Sequence, residues 1–207
     1  MLKRFAAGLL FMLSVLPSDV SGGKPVALFN GKDLNGWVGT GYEVQDGVLI
    51  CRGKILRTDK SYSNYIVEFD FLLPSRGNNG LGIHYPGDGR PSGKGMELQI
   101  LDNSHPKYAK LKAAQYHGSL YKLQAAKRGF LKPVGQWNHQ KVTVDGPKVV
   151  VELNGTVILD ANLDELEAKN PQHNGVKRRK GHICFCGHGS PVQFKNVTIQ
   201  ELPEQNR

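Results

Sequence analysis

The chain has 207 residues, of which 39% are hydrophobic and 22% are charged, and its formal net charge at pH 7 is +9. This length suits one domain with a sizeable core. The excess of cations would allow binding to acidic polymers. The cations are scattered, however, and their one cluster, residues 177–180, is flanked by glycines as in a solvated loop. We therefore expect no nucleic-acid partner.

The first residues have the pattern of a targeting segment. Lys3 and Arg4 precede an apolar run over residues 5–16, which is followed by small residues up to Gly22. This pattern predicts a secretory signal peptide over residues 1–22 and export to the periplasm or the medium. The alternative is a membrane anchor, for which the run is short, and no later stretch is apolar enough to span a membrane. Residues 23–207 are expected to form a single domain.

Most of the remaining sequence alternates apolar and polar residues, which is the period-two pattern of strands with one buried face. Two-residue turns at 46–47, 146–147 and 154–155 predict hairpins. Many short strands separated by turns indicate an all-β sandwich or barrel. The predicted strands are 42–45, 48–50, 65–72, 80–85, 95–102, 141–145, 148–153, 156–159, 181–185 and 192–202.

Helical patterns are scarce in this chain. One short helix is predicted over residues 163–169, with Asn162 or Asp164 as its cap. Long loops in a compact domain usually carry function. The chain has three such connections, at residues 85–94, 103–113 and 121–135.

The chain has three cysteines, Cys51, Cys184 and Cys186. An odd number leaves at least one thiol unpaired, even in an oxidising compartment. Cys184 and Cys186 are two residues apart on a predicted strand, too far apart to bridge easily. Two alternatives remain open: a disulfide from Cys51 to Cys184 or Cys186, or three buried free thiols. No cysteine or histidine spacing indicates a zinc site.

Six phrases occur in a fixed order from about residue 26 to residue 202. They are LFNGKDLNGW (28–37), NGLGIH (79–84), GMELQILD (95–102), GQWN (135–138), LNG (153–155) and GHI (181–183), the last with HG (188–189) and FKNV (194–197). In this order they resemble the 3-keto-disaccharide hydrolase domain family.

The resemblance implies an all-β fold of the concanavalin A-like lectin/glucanase type, a jelly-roll sandwich of two antiparallel sheets. It also implies export and a small carbohydrate as the substrate. The implied activity is cleavage, by hydrolysis or by elimination, of glycosides whose sugar is oxidised to a ketone at carbon 3. No cofactor is expected. Asp88, Asp102 and Asn103 carry oxygen atoms suited to Ca²⁺, but no spaced motif supports such a site.

We place the candidate site on residues 95–102, interpreted as a strand near the middle of a sheet. The apolar residues Met96, Leu98 and Ile100 alternate with Glu97 and Gln99. A carboxylate and an amide side by side on the polar face of such a strand indicate a functional surface. Our hypothesis is that Glu97 and Gln99 form the floor of a sugar-binding cleft.

Laminarinase-like glucanases carry the pattern Glu-x-Asp-x-x-Glu, and this chain has Glu97, Gln99 and Asp102 at the same spacing. A retaining glycosidase needs two carboxyl groups about 5 Å apart, one as nucleophile and one as acid. Strict alternation directs Asp102 into the core. Glu97 and Asp102 can therefore act as a pair only if a β-bulge after Gln99 returns Asp102 to the cleft.

A ketone at carbon 3 acidifies the hydrogen on carbon 2, so that one base can start an elimination of the glycosidic oxygen, and water can add afterwards. Glu97 is the candidate base, and His84 is the candidate oxyanion donor or acid. His117 or His188 could protonate the leaving oxygen. The candidate sugar contacts are Gln99 and Asn79 to hydroxyl groups, and Tyr85, Tyr116, Tyr121 and Trp137 by stacking.

Each of these residues also has a structural interpretation. Glu97 could be the ion-pair partner of a cation, and the histidines could be surface or packing residues. At the level of function, the alternative to an enzyme is a non-catalytic, lectin-like carbohydrate-binding module. A third interpretation is a cell-surface protein that holds acidic glycans. The oligomeric state has no readable signal.

Overall fold

The structure is a computed structural model that describes residues 22–204. The predicted signal peptide lies outside the described residues except for its last position. Two antiparallel sheets face each other and account for nearly all regular structure. The strands are β1 Val26–Ala27, β2 Trp37–Gly39, β3 Tyr42–Gln45, β4 Val48–Cys51, β5 Lys54–Thr58, β6 Tyr65–Leu72, β7 Asn78–Tyr85, β8 Met96–Leu101, β9 Trp137–Asp145, β10 Lys148–Leu153, β11 Thr156–Asn162, β12 His182–Gly187 and β13 Gln193–Glu201.

The strand order gives a jelly-roll sandwich, as predicted. The large sheet has the order β11-β10-β9-β6-β13-β4-β3, with β1 paired to β13. The small sheet has the order β2-β5-β12-β7-β8. Consecutive strands pair at β3–β4, β7–β8, β9–β10 and β10–β11, whereas pairs such as β6–β13 and β5–β12 join distant parts of the chain.

The core lies between the sheets and is rich in aromatic side chains. Along β6 the burial alternates at every position, so Phe69 and Phe71 point inward while Glu68 and Asp70 do not. Phe185 of β12 stacks on Phe194 of β13 with ring centroids 4.0 Å apart, which joins the two sheets. Each buried phenylalanine contributes about 1.5–3 kcal/mol from removal of apolar surface from water.

The hairpin turns form where the sequence predicts them. Asp46 and Gly47 both have positive φ, as a type I′ turn requires, and they join β3 to β4. Asn154 and Gly155 do the same between β10 and β11. Gly146 supplies the positive φ of the turn between β9 and β10.

Two α-helices interrupt the strands. The helix α2 spans Leu163–Lys169 as predicted, and its cap is Asn162, whose side chain accepts a hydrogen bond from the backbone N–H of Asp164 at 2.9 Å. The helix α1, Pro91–Lys94, is a single turn inside a connection that we predicted to be a loop. Among residues 22–204, no helix has the length and hydrophobicity needed to cross a membrane.

The predicted central position of β8 is wrong, because β8 is the last strand of the small sheet. Its free edge is covered by residues 118–121, which reach it through backbone hydrogen bonds such as Tyr121 N–H to the Glu97 carbonyl at 2.8 Å. The bulge after Gln99 is also absent, since β7 and β8 pair without a register shift. Unbroken alternation therefore carries Asp102 away from the face that bears Glu97.

Candidate active site

A cleft of about 580 Å³ lies on the face of the small sheet that points away from the core. This volume is within the usual range for small-molecule sites. Glu97 and Gln99 of β8 line it, as predicted, and so do Tyr121 and His188. The other lining residues are Lys54, Ile55, Asn78, Gly89, Arg90, Pro91, Ser92, Lys122, Cys186 and Gly187.

Glu97 lies over two glycines of the neighbouring strand. Gly80 and Gly82 of β7 pair with Gln99 and Glu97 across the ladder, and both glycines are on the cleft face. A Cβ atom at position 80 would overlap the carboxylate of Glu97. The spacing of these glycines in the sequence thus leaves room for the Glu97 side chain, which is only 6% exposed.

The imidazole of His188 reaches Glu97 from the segment after β12. Its Nε2 is 3.5 Å from Oε1 of Glu97, and 46% of the His188 side chain is exposed. The buried carboxylate is therefore next to a half-exposed imidazole on the same cleft wall.

Gln99 is oriented by a residue that the sequence analysis missed. Its Nε2 donates a hydrogen bond to Oδ1 of Asn78 at 2.8 Å. Asn78 is the first residue of β7 and also lines the cleft. We predicted Asn79 instead, but Asn79 points into the core, where its Nδ2 donates to the Tyr42 hydroxyl at 3.1 Å. Strand alternation from the cleft-facing Gly80 identifies position 78 as the correct one.

Three cations, Lys54, Arg90 and Lys122, line the cleft around one carboxylate. Among residues 22–204, Glu97 is the sole acidic residue of the lining. None of the three cations has an ion-pair partner among residues 22–204. These cations could not be identified from the sequence, because Lys54 begins β5, Arg90 precedes α1 and Lys122 follows β8, and only the fold brings them together.

The structure separates His84 from the cleft. β7 and β12 change register between His182 and Cys184, and His84 has a φ of 51° at this irregularity. Its side chain therefore turns away from the cleft and is fully buried, with Nε2 3.5 Å from the Ser63 carbonyl. Burial lowers the pKa of His84 to about 4, so its imidazole is neutral at pH 7. The predicted oxyanion donor is thus absent from this site.

His117 also lies outside the cleft, between the two sheets. Its ring stacks on Phe71 with centroids 5.2 Å apart, and 2% of the residue is exposed. Burial lowers the pKa of His117 to about 3. A neutral imidazole enclosed in the core cannot protonate a leaving group in the cleft, and of the two predicted acids only His188 is in place.

Asp102 ends β8 on the core side and makes structural hydrogen bonds. Its Oδ2 accepts from the backbone N–H of Arg76 at 2.9 Å, and its Oδ1 accepts from the backbone N–H of Ser104 at 3.0 Å. Burial alone would raise the pKa of Asp102, but the hydrogen bonds from Ser104 and Arg76 outweigh it, so the pKa is lowered. Asp102 does not line the cleft with Glu97, and the predicted nucleophile–acid pair is not formed.

Of the predicted aromatic platforms, only Tyr121 lines the cleft. The Tyr85 hydroxyl donates to the Gly89 carbonyl at 3.1 Å, which fastens the loop before α1. Tyr116 is buried, and its hydroxyl donates to the Tyr108 carbonyl at 3.0 Å. Trp137 belongs to the large sheet, where Lys195 lies over its ring. The presence of a tyrosine in the sequence does not show whether its ring stacks on a sugar or its hydroxyl holds a loop.

All three cysteines are free and buried. The sulfur atoms of Cys184 and Cys186 are 3.7 Å apart, on the same face of β12 as the cleft. Burial, the neighbouring Cys184 and the charge of Glu97 raise the pKa of the Cys186 thiol. Within residues 22–204, no group of three or more histidine, cysteine or acidic side chains is placed to hold a metal ion.

Known proteins with similar sequences and folds confirm the resemblance found in the sequence. A 3-keto-disaccharide hydrolase from Bacteroides thetaiotaomicron is 26% identical, with 90% of this chain and 81% of that protein aligned. A crystal structure of a candidate glycosyl hydrolase from Parabacteroides distasonis is 28% identical, with a TM-score of 0.79 over 87% of this chain and 94% of the other.

The fold also extends to more distant proteins. A non-specific endo-β-1,3(4)-glucanase matches with a TM-score of 0.53 at 11% identity, covering 88% of this chain and 96% of the other, which shows a shared fold only. At the level of sequence, residues 24–200 match the family described as 3-keto-alpha-glucoside-1,2-lyase-like domain. That match spans most of the chain, which therefore belongs to this family.

Proposed function

We propose that this protein is a carbohydrate-active enzyme that cleaves the glycosidic bond of 3-keto-glycosides in the cleft above Glu97. Membership of the family and the similarity to a 3-keto-disaccharide hydrolase support the substrate class. The observation that carries the proposal is the pairing of Glu97 with His188 at 3.5 Å. One buried carboxylate and one half-exposed imidazole match the base and the acid that the reaction needs.

The reaction begins when Glu97 takes the proton from carbon 2 of the keto sugar. The electron pair of that C–H bond forms an enolate with the neighbouring ketone. The enolate then expels the glycosidic oxygen from carbon 1, leaving a double bond between carbons 1 and 2, and His188 gives the leaving oxygen a proton. Water adds across this double bond in a second step, and the net reaction is hydrolysis.

The cations around the cleft suit the enolate. Negative charge accumulates on the ketone oxygen in the transition state, and donors already aimed at that oxygen stabilise it more than they stabilise the neutral substrate. Lys54, Arg90 and Lys122 are the available donors. They take the role that we had assigned to His84.

The charge pattern of the cleft supports elimination over direct hydrolysis. Direct hydrolysis with retention needs two carboxyl groups about 5 Å apart, and inversion needs two at a greater distance. Glu97 is the sole carboxylate among the lining residues. An elimination through an enolate needs only one.

The test is mass spectrometry of the products formed from a 3-keto-disaccharide in deuterated water. We expect deuterium at carbon 2 of the released keto sugar, beyond the exchange in an enzyme-free control. We expect Glu97→Gln to lower turnover at least about 100-fold, since general-base catalysis contributes that much, while Glu165→Gln, at an exposed position of α2, has no effect. Cleavage without deuterium would overturn the elimination. Sugar binding without turnover would support a non-catalytic binding module.

We further propose that the protein is exported, on the basis of the signal-like segment at residues 1–22. The intact mass of the protein recovered from a periplasmic extract tests this directly. Loss of about the first 22 residues is expected. Recovery of the uncleaved chain from the cytoplasm alone would refute it.

A further inference from the structure

A second cavity of about 350 Å³ continues the cleft on the far side of His188. Asn78 and His188 line both cavities, so the two are contiguous at these residues. We call this second cavity the distal subsite. Its other lining residues are Ser75, Arg76, Lys107, Tyr108, Gly189, Ser190 and Pro191.

The backbone of Arg76 is held by three side chains in a conformation that arginine rarely adopts. Its φ is 62°. Its N–H donates to Oδ2 of Asp102 at 2.9 Å, and its carbonyl accepts from the Tyr108 hydroxyl at 3.0 Å and from the Ser190 hydroxyl at 3.3 Å. Hydrogen bonds on both sides of this residue stabilise the left-handed backbone. They fix the position from which the guanidinium extends.

The charged side chains of Arg76 and Lys107, the two cations of the distal subsite, are available to a ligand. Arg76 and Lys107 form no ion pair with any residue between 22 and 204. Asp102 uses its oxygens on Arg76 N–H and on Ser104, not on a guanidinium. Among residues 22–204, no acidic residue lines the distal subsite, and the nearby Asp102 carboxylate accepts from the backbone N–H groups of Arg76 and Ser104. Two cations in a concave site whose lining has no acidic residue favour an anion.

We propose that the distal subsite binds an anionic group, a carboxylate or an ester sulfate, on the leaving sugar of the substrate. This inference rests on the proposed function for one point, the position of the reacting keto sugar over Glu97. His188 protonates the leaving oxygen and stands between the two cavities, so the leaving sugar extends into the distal subsite. The substrate class is therefore an acidic 3-keto-disaccharide, such as one with a hexuronic acid as its leaving sugar.

The chemistry of the two cations fits this class of ligand. The planar guanidinium of Arg76 presents paired donors that match the two oxygens of a carboxylate or the oxygens of a sulfate. Lys107 adds a point charge, and its Nζ lies 5.5 Å from the centre of the Tyr108 ring. The excess of cations over the chain attracts an anionic substrate over a longer range than these contacts.

The test measures binding to the Glu97→Gln protein, in which slowed turnover leaves the ligands largely intact during the measurement. Calorimetry compares three 3-keto-disaccharides that differ only in the leaving sugar, which is neutral, a hexuronic acid or O-sulfated. We expect at least one acidic ligand to bind about tenfold more tightly than the neutral one, as one charge-assisted hydrogen bond would give. The acidic ligand that binds more tightly shows whether the subsite prefers a carboxylate or a sulfate. This preference should fall as ionic strength rises.

Two variants connect that preference to the distal subsite. In Arg76→Gln/Lys107→Gln the ratio of acidic to neutral affinity should fall to about one. The matched control, Lys110→Gln/Lys112→Gln, removes the same charge from exposed positions outside both cavities and should keep the ratio. If the double variant does not fold, Lys107→Gln alone, at an exposed position, should still lower the ratio at least about twofold.

Equal affinity for the acidic and neutral ligands would overturn the distal subsite, as would an equal loss of preference in the control. These results are independent of turnover. Preferential binding of an acidic ligand by a wild-type protein that cleaves no 3-keto-glycoside would overturn the proposed function and leave the subsite standing. Cleavage of all three ligands with the same affinity and kcat/KM would overturn the distal subsite and leave the proposed function standing.

Discussion

Glu97 uses space that only glycine leaves open on the neighbouring strand. A Cβ atom at Gly80 would meet the carboxylate, and Gly82 is similarly crowded by the sulfur of Cys184. The proposed base is therefore positioned as much by the side chains that β7 lacks as by the contacts it makes. A single methyl group at position 80 tests this directly.

We expect Gly80→Ala to push the Glu97 side chain out of position. The free energy of unfolding should fall by about 1–3 kcal/mol, as is typical for overpacking, and turnover should fall at least about tenfold. Gly93→Ala is the control, because a Cβ atom at that position of α1 meets nothing within 4 Å. Chemical denaturation and steady-state kinetics measure the two effects. Unchanged kinetics in Gly80→Ala would contradict the placement of the base.

Asp102 is the second residue whose role the structure redefines. Its hydrogen bonds to Arg76 and Ser104 are structural, so Asp102→Asn should lower the free energy of unfolding by about 1–3 kcal/mol. Turnover of a neutral 3-keto-disaccharide should fall much less than in Glu97→Gln. Equal loss of turnover in the two variants, with the Asp102→Asn protein fully folded, would restore Asp102 as a catalytic residue.

At the scale of elements, β8 and the segment beside it form one unit. β8 is an edge strand in pairing order, yet every residue from Met96 to Leu101 is buried, because residues 118–121 bond to its free edge. This covering shields the edge from pairing with other chains. It also brings Tyr121 and Lys122 next to Glu97.

On β12, the alternation of side chains places two thiols under the cleft. Cys184 is fully buried and Cys186 is 3% exposed, and burial raises the pKa of Cys186. Because the thiolate is the reactive form, we expect no rapid reaction with Ellman's reagent at pH 7 in the folded protein. Unfolding in guanidinium should release all three thiols, which serves as the control. Rapid labelling of the native protein would show that the cleft floor opens.

At the scale of the whole molecule, two sheets enclose histidines that titrate only after unfolding. His84 and His117 have pKa values lowered by burial to about 4 and about 3, from an ordinary value of 6.5. Both are neutral in the folded state at pH 5, whereas the unfolded chain binds a proton at each. Stability is therefore complete above pH 6.5 and decreases as the pH falls toward 4.

We expect the free energy of unfolding to decrease between pH 6.5 and pH 4 by about 1 kcal/mol per pH unit for each buried histidine. Urea denaturation at several pH values measures this slope. His117→Gln should reduce the slope by removing one of the two groups. A flat stability profile over this range would show that neither histidine titrates on unfolding.

The fold of the whole molecule also determines the charge around the cleft and the distal subsite. The cleft and the distal subsite together are lined by Lys54, Arg76, Arg90, Lys107 and Lys122 against the single carboxylate of Glu97. These cations come from β5 and from the segments between β6 and β7, between β7 and α1, and between β8 and β9. Only the sandwich brings them to one face.

The sequence alone determined the features that depend on near neighbours. The alternation of side chains gave β6 its two faces, the Asp46-Gly47 and Asn154-Gly155 turns gave their hairpins, and the polar cap gave α2 its start. These are local because backbone dihedral preferences and side-chain periodicity act over a few residues. The alternation along residues 95–102 also identified Glu97 and Gln99, which face the cleft because of their positions in it.

The tertiary structure decided which elements meet, and hence most of the candidate site. It placed β8 at the edge, buried His84 and His117, turned Asp102 to Arg76, and brought His188 to Glu97. Histidine, aspartate and tyrosine all occur in cores, turns and clefts, so the residue type alone does not show where each one lies. Their surroundings depend on strand pairings between distant segments, which no local pattern encodes.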